Sequence, residues 1–403
     1  MSYTSSSRRS PRNGSRRQYK PSNRRGQNRF SIQSIDPRKF IKSATFEQPE
    51  IYQPTNSFED FCLHDLLHKN ILAKGFTTPS AIQDKAIPVI LEGGDVIGLA
   101  KTGTGKTAAF ALPALNRVIK DPHSALLIVA PTRELAQQIE QECRSFARSS
   151  GLTGALLIGG TNMGPQLRDL RTNPKIVIGT PGRIKDHLTR KSLDLKKFNI
   201  VVLDEVDRML DMGFVNDVTD IVRSTNPKRQ SLFFSATMDS RVRALIDKFT
   251  YDPVTIQIAD SPSGNNIHQD VVGYFSKEER LSKLHDLLIG KEVVKALIFE
   301  ETQRQVEKLQ KELTQRGFDV EALHGGKSQG QRQKALVRFR DGEASILVAT
   351  DVASRGIDVA DISHVINYSP PKVYEDYVHR IGRTGRAGRT GYALTFIEGN
   401  IKR

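Results

Sequence analysis

Three acidic side chains lie within four positions of the stretch VVLDEVDRML, residues 201–210: Asp204, Glu205 and Asp207. Carboxylates this close together repel one another unless a cation lies between them or water solvates each of them. The apolar residues before the acids predict a buried strand, so the acids are expected where that strand ends. The cluster alone leaves two interpretations open: a solvated strand end and a cation-binding site.

A candidate phosphate-binding loop favours the second interpretation. The stretch AKTGTGKTAAF, residues 100–110, follows the apolar run VIGLA and precedes an apolar helical segment. Gly103 and Gly105 allow backbone N–H groups to surround phosphates, Lys106 reaches the outer phosphate oxygens, and Thr107 can place its hydroxyl on Mg²⁺. The first glycine of the general pattern is absent, because alanine occupies that position. Even so, the strand–loop–helix context predicts a nucleotide site.

The two motifs together assign roles to the acids. In phosphate-binding-loop enzymes, a carboxylate at the end of a neighbouring strand holds Mg²⁺, largely through water. Asp204 is the candidate for that carboxylate, and Glu205 is the candidate base that orients the attacking water. The expected ligands are therefore the phosphates of a nucleotide and Mg²⁺.

Short apolar runs that alternate with longer amphipathic segments must position these residues. Continuous hydrophobicity in the short runs is typical of strands buried on both faces of a parallel sheet. The segment after one run, residues 133–151, predicts a helix, because Leu135, Ile139, Cys143 and Phe146 fall on one stripe. The runs predicted as strands are residues 96–100, 125–130, 155–160, 175–180, 200–205, 231–237, 296–299, 345–351, 364–369 and 392–397. This βαβ rhythm predicts an α/β fold with parallel sheets covered on both faces.

The rhythm breaks once, in the polar stretch ADSPSGNNIHQD at residues 259–270. The predicted organisation has four parts. They are a disordered basic tail at residues 1–45, a first α/β domain at 46–260, a linker at 261–268 and a second α/β domain at 269–403.

The tail carries most of the net charge of +15, because residues 1–45 hold twelve Lys or Arg and one acid, a net charge of +11. The tail has too few apolar side chains to offset the entropy cost of ordering. Tyr19 and Phe30 are interleaved with its arginines. The composition favours a flexible arm that binds polyanions over a merely solubilising segment.

Several classes of protein are disfavoured by composition. The only cysteines, Cys62 and Cys143, have no paired spacing, so neither a disulfide framework nor a structural zinc site is expected. Both are expected to be small buried hydrophobic residues. No apolar run has the length of a membrane span, and no signal peptide opens the chain. We therefore expect a cytoplasmic protein with a monomeric core and no membrane partner.

The order of the motifs resembles that of the DEAD-box RNA helicases of superfamily 2, from about Phe58 to the end of the chain. The first half contains GFTTPSAIQ (the Q motif), AKTGTGKT (motif I), PTRELA (Ia), the pair GG at 159–160, TPGR (Ib), DEVD (II) and SAT (III). The second half contains LIFEET (IV), ATDVASRGID (V) and HRIGRTGRAG (VI). Ten such motifs in the family order are not expected by chance.

The resemblance implies that the two α/β domains are RecA-like and that they bind ATP with Mg²⁺ at a site with catalytic groups. Gln83 would read the adenine edge, Phe58 would stack on the base and Asp358 would contact the ribose. His379 would join a network near the γ-phosphate. Arg383 and Arg386, in a motif without a nearby acid, would clamp the γ-phosphate opposite Lys106 as arginine fingers. The full set implied for ATP binding is Phe58, Gln83, Thr102, Gly103, Thr104, Gly105, Lys106, Thr107 and Asp358.

A coupling pair and an RNA-facing set complete what the resemblance implies. Ser235 and Thr237 would hydrogen-bond toward the acids of DEVD and couple the nucleotide state to domain closure, although they could also simply cap a strand end. The RNA-facing residues are small, polar or glycine, and offer N–H groups, hydroxyls and arginines to phosphates and 2′-hydroxyls. They are Pro131, Thr132, Arg133, Gly160, Thr180, Gly182 and Arg183 in the first half and Gln329, Arg332 and Thr350 in the second. Because such contacts are to the backbone, the expected partner is RNA bound with little sequence preference.

Two departures from the family pattern affect these expectations. Val206 replaces alanine in the tetrapeptide that names the family, but all three acids are kept, so activity is expected to survive. Glu300 and Glu301 make motif IV unusually acidic, and Glu301 would weaken RNA binding if it faced RNA.

Two rival functions remain open at the level of sequence. A DNA helicase or translocase is disfavoured by the Q motif and by the RNA-helicase motif set. An ATP-dependent RNA clamp that does not unwind is disfavoured by the intact Glu205, Arg383 and Arg386, which indicate turnover. The sequence predicts an ATP-dependent RNA helicase that locally unwinds short duplexes or remodels RNA–protein complexes.

Overall fold

The structure is a computed structural model of the 403-residue chain. It describes residues 1–2, 35–44, 52–101, 103–258, 266–354, 359, 361–385 and 389–399. Residues 35–403 form one compact unit, and residues 1–34 are assigned to a separate unit. Thr102, Asp358, Arg386 and most of the predicted tail lie outside the described residues, so the predictions that concern them stay predictions.

The first sheet contains seven parallel strands in the order β3-β4-β2-β5-β6-β1-β7. Its strands are β1 (Val96–Leu99), β2 (Leu126–Val129), β3 (Gly154–Leu157), β4 (Ile176–Gly179), β5 (Ile200–Leu203), β6 (Gln230–Ser235) and β7 (Val254–Gln257). The accompanying helices are α1 (Asp65–Ala73), α2 (Ala81–Leu91), α3 (Lys106–Lys120), α4 (Arg133–Phe146), α5 (Met163–Arg171), α6 (Pro181–Thr189), α7 (Val206–Asp211), α8 (Val215–Arg223) and α9 (Ser240–Ile246).

The second sheet contains six parallel strands in the order β10-β11-β9-β12-β13-β8. Its strands are β8 (Ile267–Tyr274), β9 (Ala296–Phe299), β10 (Val320–Leu323), β11 (Ile346–Ala349), β12 (His364–Asn367) and β13 (Gly391–Glu398). The accompanying helices are α10 (Lys277–Leu288), α11 (Gln303–Gln315), α12 (Gln329–Asp341), α13 (Asp351–Ser354) and α14 (Tyr374–Ile381). The expected fold class, two RecA-like parallel-sheet α/β domains in tandem, is confirmed.

The strands are apolar throughout because helices cover both faces of each sheet. In β2, Leu126 and Ile128 belong to the core on one face, whereas Leu127 and Val129 belong to the core on the other. All four side chains are buried. Alternate residues of a strand point to opposite faces, so a strand buried on both sides requires an unbroken apolar run.

All ten runs predicted as strands overlap a strand, and the helix predicted from residue 133 is α4, whose four stripe residues are buried. Three strands were missed: β7, β8 and β10. In β8, buried residues alternate with partly exposed ones, and β7 is largely exposed, so neither has the continuous apolar pattern. β8 begins at Ile267, so the last two residues of the predicted linker belong to a strand.

The prediction of a disordered tail was wrong for residues 35–44. A 3₁₀ helix, Pro37–Phe40, begins at Asp36, whose carboxylate accepts a hydrogen bond from the Arg38 N–H at 3.0 Å. The Phe40 side chain is 1% exposed, in a core cluster of the second domain. Burial of this aromatic ring is a favourable contact that the charged composition around it did not indicate.

Two smaller expectations were also tested. Cys143 is buried, and burial raises the pKa of its thiol, but Cys62 is exposed, so the expectation of a buried residue was wrong there. Across the described residues, no helix combines the length and apolar character that a membrane span needs.

Candidate active site

The strand order of the first sheet sorts the motifs into two groups. Because all its strands are parallel, their carboxyl ends lie on the same side of the sheet. The segments that follow the strands are therefore on that side, where ligands of such sheets bind. Motifs I, II and III follow β1, β5 and β6, which are adjacent in the sheet. We call the region at the carboxyl ends of these three strands the nucleotide half. Motif Ia, the GG pair and motif Ib follow β2, β3 and β4, which are adjacent to one another on the other side of the strand order. We call the region at the carboxyl ends of these strands the nucleic-acid half.

The phosphate-binding loop connects β1 to α3. Gly103 and Gly105 have φ angles of +82° and +90°, a region that glycine adopts without strain. Lys106 and Thr107 begin α3, and the Lys106 ammonium, itself buried, donates to the Ala100 carbonyl at 2.8 Å. The ammonium therefore lies inside the loop, at the place where the sequence predicts phosphate oxygens.

The Q motif supports this loop from helix α2. Ser80 Oγ donates to the Thr104 carbonyl at 2.8 Å, and Gln83 Nε2 donates to the Gly105 carbonyl at 3.2 Å. Gln83 Oε1 accepts the Ser80 N–H at 2.9 Å, so both ends of the carboxamide already have partners. A Cβ atom on Gly105 would lie 2.5 Å from Gln83 Nε2. Close packing between the Q motif and the loop therefore requires glycine at position 105.

Phe58 differs from its expected role. Its side chain is 1% exposed, and the rings of Phe61 and Phe76 lie edge-on to it at centroid distances of 5.9 and 6.0 Å. A ring enclosed in this way has no free face for a base. In this structure Phe58 belongs to the core beneath the Q motif and does not form an open stacking surface.

Motif II brings its acids to the end of β5, as expected. Asp204 and Glu205 are both buried, and Asp204 Oδ1 accepts the Glu205 N–H at 2.9 Å. Glu205 has a φ of +54°, a left-handed conformation that is uncommon outside glycine and occurs more often at functional sites. This left-handed residue is the N-cap of α7, so the chain leaves the direction of β5 at Glu205.

A buried arginine, Arg208, contacts Glu205 and reaches the second domain. Arg208 Nη1 donates to Glu205 Oε2 at 3.0 Å, and both side chains are 5% exposed. Arg208 Nη2 lies 3.5 Å from Nδ1 of His379, which belongs to α14. The candidate base is therefore held by a side chain that also contacts motif VI across the domain boundary.

Asp207 connects motif II to motif III. Its Oδ2 accepts the N–H groups of Ala236 and Thr237 at 3.1 and 2.9 Å and the Thr237 hydroxyl at 2.9 Å. The Asp207 N–H donates to Ser235 Oγ at 3.3 Å. The hydrogen bond expected from Thr237 toward an acid of DEVD is present, whereas Ser235 accepts the backbone N–H of Asp207 and does not bond to its carboxylate in the interactions described.

The environment of Asp204 fits a bound cation. Burial raises the pKa of this carboxyl above its usual range, Lys106 opposes that shift, and Glu205 adds to it. A buried carboxylate beside a second acid becomes more favourable when a divalent cation is present. The described residues contain no group of three His, Cys, Asp or Glu side chains suited to hold a metal by themselves. One carboxylate and the Thr107 hydroxyl fit Mg²⁺, which keeps most of its water and uses substrate phosphates as ligands.

In the nucleic-acid half, Arg133 packs on the GG pair. A Cβ atom on Gly160 would lie 2.1 Å from Arg133 Nη1, and one on Gly159 would lie 3.3 Å from Nη2. The glycines therefore allow the guanidinium of motif Ia to lie flat against the backbone after β3. This close approach explains why Gly160 and Arg133 occur together.

Motif Ib lies beside the same loop. Arg183 Nη1 and Nη2 each lie 3.4 Å from the Thr161 carbonyl, and Nε lies 3.6 Å from an Asp186 oxygen. Within the described part of the chain, Arg183 Nε is buried without a hydrogen-bond partner. The helices of motifs Ia and Ib begin just after the ends of β2 and β4, and their N-caps are Thr132 and Thr180. Pro131 precedes the first cap, and Gly182 lies two residues after the second.

Gln329 and Arg332 lie between the domains, which the sequence did not predict. Gln329 Nε2 donates to Glu134 Oε1 at 3.2 Å and to Gln137 Oε1 at 2.9 Å, and Arg332 Nη2 lies 2.9 Å from Glu134 Oε2. Burial lowers the pKa of Arg332, and Glu134 partly offsets the shift. Gln329 Oε1 and Arg332 Nε have no hydrogen-bond partner among the described residues. The pair therefore fastens α12 to α4, with one polar atom of each residue left for another group.

Motif VI is anchored inside the second domain by Arg380. Its guanidinium makes two hydrogen bonds to Asp351 of motif V, at 2.6 and 2.7 Å, and lies 4.8 Å from the centre of the Phe299 ring. Arg383 follows α14 and is buried. Thr350 comes directly before Asp351, and its N–H donates to the Leu323 carbonyl at 3.2 Å.

The two acids of motif IV differ in their surroundings. Glu300 is buried, hydrogen-bonded to the Ser369 hydroxyl, and burial raises its pKa. Glu301 is half-exposed and pairs with Lys372 at 2.6 Å. Glu300 is therefore a core residue, and the charge of Glu301 is balanced by a lysine.

Sequence reasoning missed Arg208, Glu134 and Arg380 as site residues. Arg208 directly follows DEVD, Glu134 lies in the middle of PTRELA, and Arg380 lies inside motif VI. Their positions within or beside motifs were a signal, but the partners of Arg208 and Glu134 lie in the other domain.

Comparison with known proteins finds two family models. Residues 80–245 match the family described as DEAD/DEAH box helicase, and residues 277–388 match the helicase conserved C-terminal domain. The two matches cover the segments that carry motifs I to III and IV to VI.

Similar sequences and structures agree with these matches. The chain is 39% identical to DEAD-box ATP-dependent RNA helicase 20 of Arabidopsis thaliana, over 90% of this chain and 74% of the relative. It is 42% identical to ATP-dependent RNA helicase CshA of Listeria monocytogenes, over 85% of this chain and 66% of the relative. Among solved structures, S. cerevisiae Dbp5 bound to RNA and ADP BeF3 is similar with a TM-score of 0.75 and 31% identity, covering 85% of this chain and 90% of Dbp5.

Proposed function

This chain belongs to the DEAD-box family of ATP-dependent RNA helicases, which hydrolyse ATP, and from that premise we propose that it locally unwinds short RNA duplexes or remodels RNA–protein complexes. We propose that it binds the RNA backbone with little sequence preference. One observation carries the proposal: a contact between the domains is present on each half of the site. Arg208 meets His379 on the nucleotide half, and Glu134 meets Gln329 and Arg332 on the nucleic-acid half. Closing the domains therefore completes both halves together.

Hydrolysis requires a water that attacks the γ-phosphorus. In this proposal Glu205 accepts the proton of that water as the new P–O bond forms and the bond to the β-phosphate oxygen breaks, which yields ADP and phosphate. Lys106 and the N–H groups of the phosphate-binding loop hold the phosphates. Arg383 approaches from the second domain to stabilise the charge of the transferring group. Bound Mg²⁺, held by Asp204 and Thr107 largely through water, supplies charge neutralisation at the phosphates. Thr102, Asp358 and Arg386 keep the roles that the resemblance implies.

Arg208 is a positioning residue in this scheme. Its buried ion pair with Glu205, 3.0 Å long, orients the carboxylate and balances its charge. Because the second amino group of Arg208 meets His379, the base is best oriented when the domains are closed. Asp207, Ser235 and Thr237 provide a second connection, from motif II to motif III.

Backbone contacts to RNA are proposed for the nucleic-acid half. The buried Nε atoms of Arg183 and Arg332 and the buried Oε1 of Gln329 have no hydrogen-bond partner within the described part of the chain. They support this proposal, because buried polar atoms usually have partners and RNA offers phosphates and 2′-hydroxyls. Thr350 of the second domain is proposed as a further contact. Phosphate contacts position a nucleic acid without reading its sequence.

The domain limits and the location in the cell are part of the proposal. We propose a first domain that ends near residue 260 and a second domain that begins at Ile267 with β8. A cytoplasmic location is proposed on the basis of the two free cysteines, Cys62 and Cys143. RNA is the proposed partner.

The proposal is tested with the variant Glu205→Gln, which keeps the shape of motif II and removes the base. ATP and RNA should bind and persist together, while turnover falls by about 10²-fold or more. ATP hydrolysis and strand release should be measured with an RNA duplex and with a DNA duplex of the same sequence. Arg208→Lys should restore part of the turnover lost in Arg208→Gln, since lysine keeps the charge next to Glu205.

Three outcomes would contradict parts of the proposal. Normal turnover by Glu205→Gln would show that Glu205 is not the base. Equal stimulation by DNA and RNA would favour a DNA translocase. RNA-stimulated hydrolysis without strand release would favour an RNA clamp.

A further inference from the structure

The N-terminal end of the described chain makes one anchor on the second domain. Phe40 is buried among Ile267, Val271, Tyr377 and Ile381, and its ring centroid lies 4.7 Å from that of Tyr377. The Tyr377 hydroxyl donates to Gln269 Oε1 at 2.9 Å. Because the whole Phe40 ring is removed from water, this anchor is more than a surface contact.

The same anchor covers the open edge of the second sheet. β8 is the last strand of that sheet, and its Gln269 exchanges two backbone hydrogen bonds with Lys42, both 2.9 Å long, in an antiparallel bridge. An exposed strand edge offers unpaired N–H and C=O groups to any passing chain. Residues 35–44 therefore pair with this edge as an added strand segment would.

A second anchor lies on the first domain, only eight residues later. The Asp84 carboxylate, buried in α2, accepts hydrogen bonds from the Tyr52 hydroxyl at 2.6 Å, the Thr55 N–H at 2.9 Å and both the N–H and the side-chain amide of Asn56. Burial would raise the pKa of Asp84, but these hydrogen bonds outweigh it and lower the pKa. The bond to Asp84 raises the pKa of Tyr52 to about 12. The carboxylate thus holds residues 52–56 in one conformation.

We propose that the two anchors, residues 35–44 and 52–56, act as a strap that fastens the second domain to the first and favours the closed arrangement. The chain from Ala44 to Tyr52 spans eight residues, or about 29 Å at full extension. While both anchors hold, the domains cannot separate at this side of the cleft by more than that length allows. Tethering two bodies raises the effective concentration of each near the other, so the contacts between the domains form more readily.

The positions of the anchors connect the strap to the nucleotide half. Tyr377 lies two residues before His379 on α14, and Asp84 directly follows Gln83 on α2. The strap therefore joins the helix that contacts Arg208 to the helix that supports the phosphate-binding loop. The strap is expected to change the free energy of domain closure and not phosphate binding itself, because none of its described residues belongs to the motifs that bind phosphate.

The test lengthens the strap without removing either anchor. Twenty Gly and Ser residues are inserted between residues 46 and 47 of the full chain, and the same insert between residues 30 and 31 is the matched control. Lengthening the connection from 8 to 28 residues should lower the effective concentration up to about sixfold, since it falls as the −3/2 power of length. The RNA concentration for half-maximal ATPase activity should rise by the same factor, with turnover at saturating RNA and ATP changed less than twofold. Small-angle X-ray scattering of the ligand-free protein should show a larger radius of gyration.

A second variant distinguishes a strap from a purely structural segment. Phe40→Ala should release the anchor on the second domain, so the strap insert should have no further effect in that background. An equal response to both inserts, an unchanged radius of gyration with the strap insert, or an undiminished insert effect in Phe40→Ala would overturn the proposal. Scattering needs neither ATP nor RNA, so it tests the strap even if the proposed function fails.

Discussion

The two domains contribute to the site in different ways. In the first domain, motif I is bonded to the Q motif and motif II to motif III, and all these contacts lie within one sheet and its helices. In the second domain, Arg380 and Asp351 form an internal anchor, but Gln329, Arg332 and His379 contact side chains of the first domain. The first domain therefore holds a preassembled nucleotide site, whereas the second completes it only when the domains are closed. Substitutions in the two domains should separate binding from turnover.

The largest effect is expected from Lys106→Ala, which removes the buried ammonium of the first domain's loop. Nucleotide binding and hydrolysis should both fail, with turnover reduced by about 10³-fold or more, because the buried ammonium inside the loop is the cation proposed to hold the phosphates. ATP-analogue binding and RNA-stimulated hydrolysis should both be measured. Lys120→Ala, at the exposed end of the same helix, is the control. An unchanged RNA-stimulated rate would refute the assignment of the phosphate-binding loop.

The matching substitution in the second domain is Arg383→Ala. Turnover should fall about 10³-fold, or roughly 4 kcal/mol of transition-state stabilisation, while ATP affinity changes little. Saturated turnover and ATP affinity should be measured separately. Arg316→Ala, at the exposed end of α11 in the same domain, should behave as the unsubstituted protein does. A loss of ATP affinity with unchanged saturated turnover would show that Arg383 binds ATP in the ground state and does not stabilise the transition state further. The second domain would then contribute to binding, as the first domain does, and not specifically to turnover.

A smaller effect is expected from Glu134→Gln, which weakens the contact between the domains directly. The closed arrangement would then bury Arg332 without its carboxylate partner, at a cost of roughly 2 kcal/mol or more. The RNA concentration for half-maximal hydrolysis should rise about tenfold to hundredfold, and ATP affinity without RNA should stay constant. Glu140→Gln, on the same helix but paired with Arg144 of its own domain, is the matched control. Equal behaviour of the two variants would show that the contact with Arg332 does not limit closure.

The smallest effect on turnover is expected from the basic tail. A chain that begins at Ile35 loses nine Lys or Arg and no acid but keeps the strap. If about half of these residues engage phosphates, the slope of log affinity against log salt should flatten by about 3, with saturated turnover almost unchanged. A chain that begins at Thr45 should show a further loss of RNA affinity that salt does not remove, because Phe40 is gone as well. Identical salt slopes for the full chain and the chain from Ile35 would mean that the tail does not bind RNA.

Local chemistry was predictable because its causes are close together in sequence. A run such as IVVL is apolar at every position, and only a strand covered on both faces needs that pattern. The same applies to the loop before α3, where two glycines, a lysine and a threonine have their geometry set by neighbouring backbone. The conformation and chemistry of these segments follow from a few adjacent residues, so the prediction of RecA-like domains with a nucleotide site needed no tertiary contact.

Predictions failed where a residue's surroundings come from distant segments. Phe58 matches the family pattern for stacking on a base, but Phe61 and Phe76 enclose it. Residues 35–44 have the charge pattern of a disordered arm, and only the pocket between β8 and α14 gives Phe40 a place to bury. Composition describes the average balance between burial and ordering entropy in a segment. It does not show whether the fold provides a buried site for one particular side chain.

By itself, the sequence determined the two domains, the motifs and the chemistry that each motif can perform, because periodicity and local backbone preference act over a few residues. Only the tertiary structure decided which motifs are neighbours. Motifs Ia, GG and Ib separate motif I from motifs II and III in the chain, yet the strand order β3-β4-β2-β5-β6-β1-β7 brings each set together. The pairing of Glu134 with Gln329 and Arg332, and of Arg208 with His379, likewise joins residues more than 170 positions apart. Such contacts depend on sheet order and domain closure, which are set by the packing of the whole chain and leave no local pattern in the sequence.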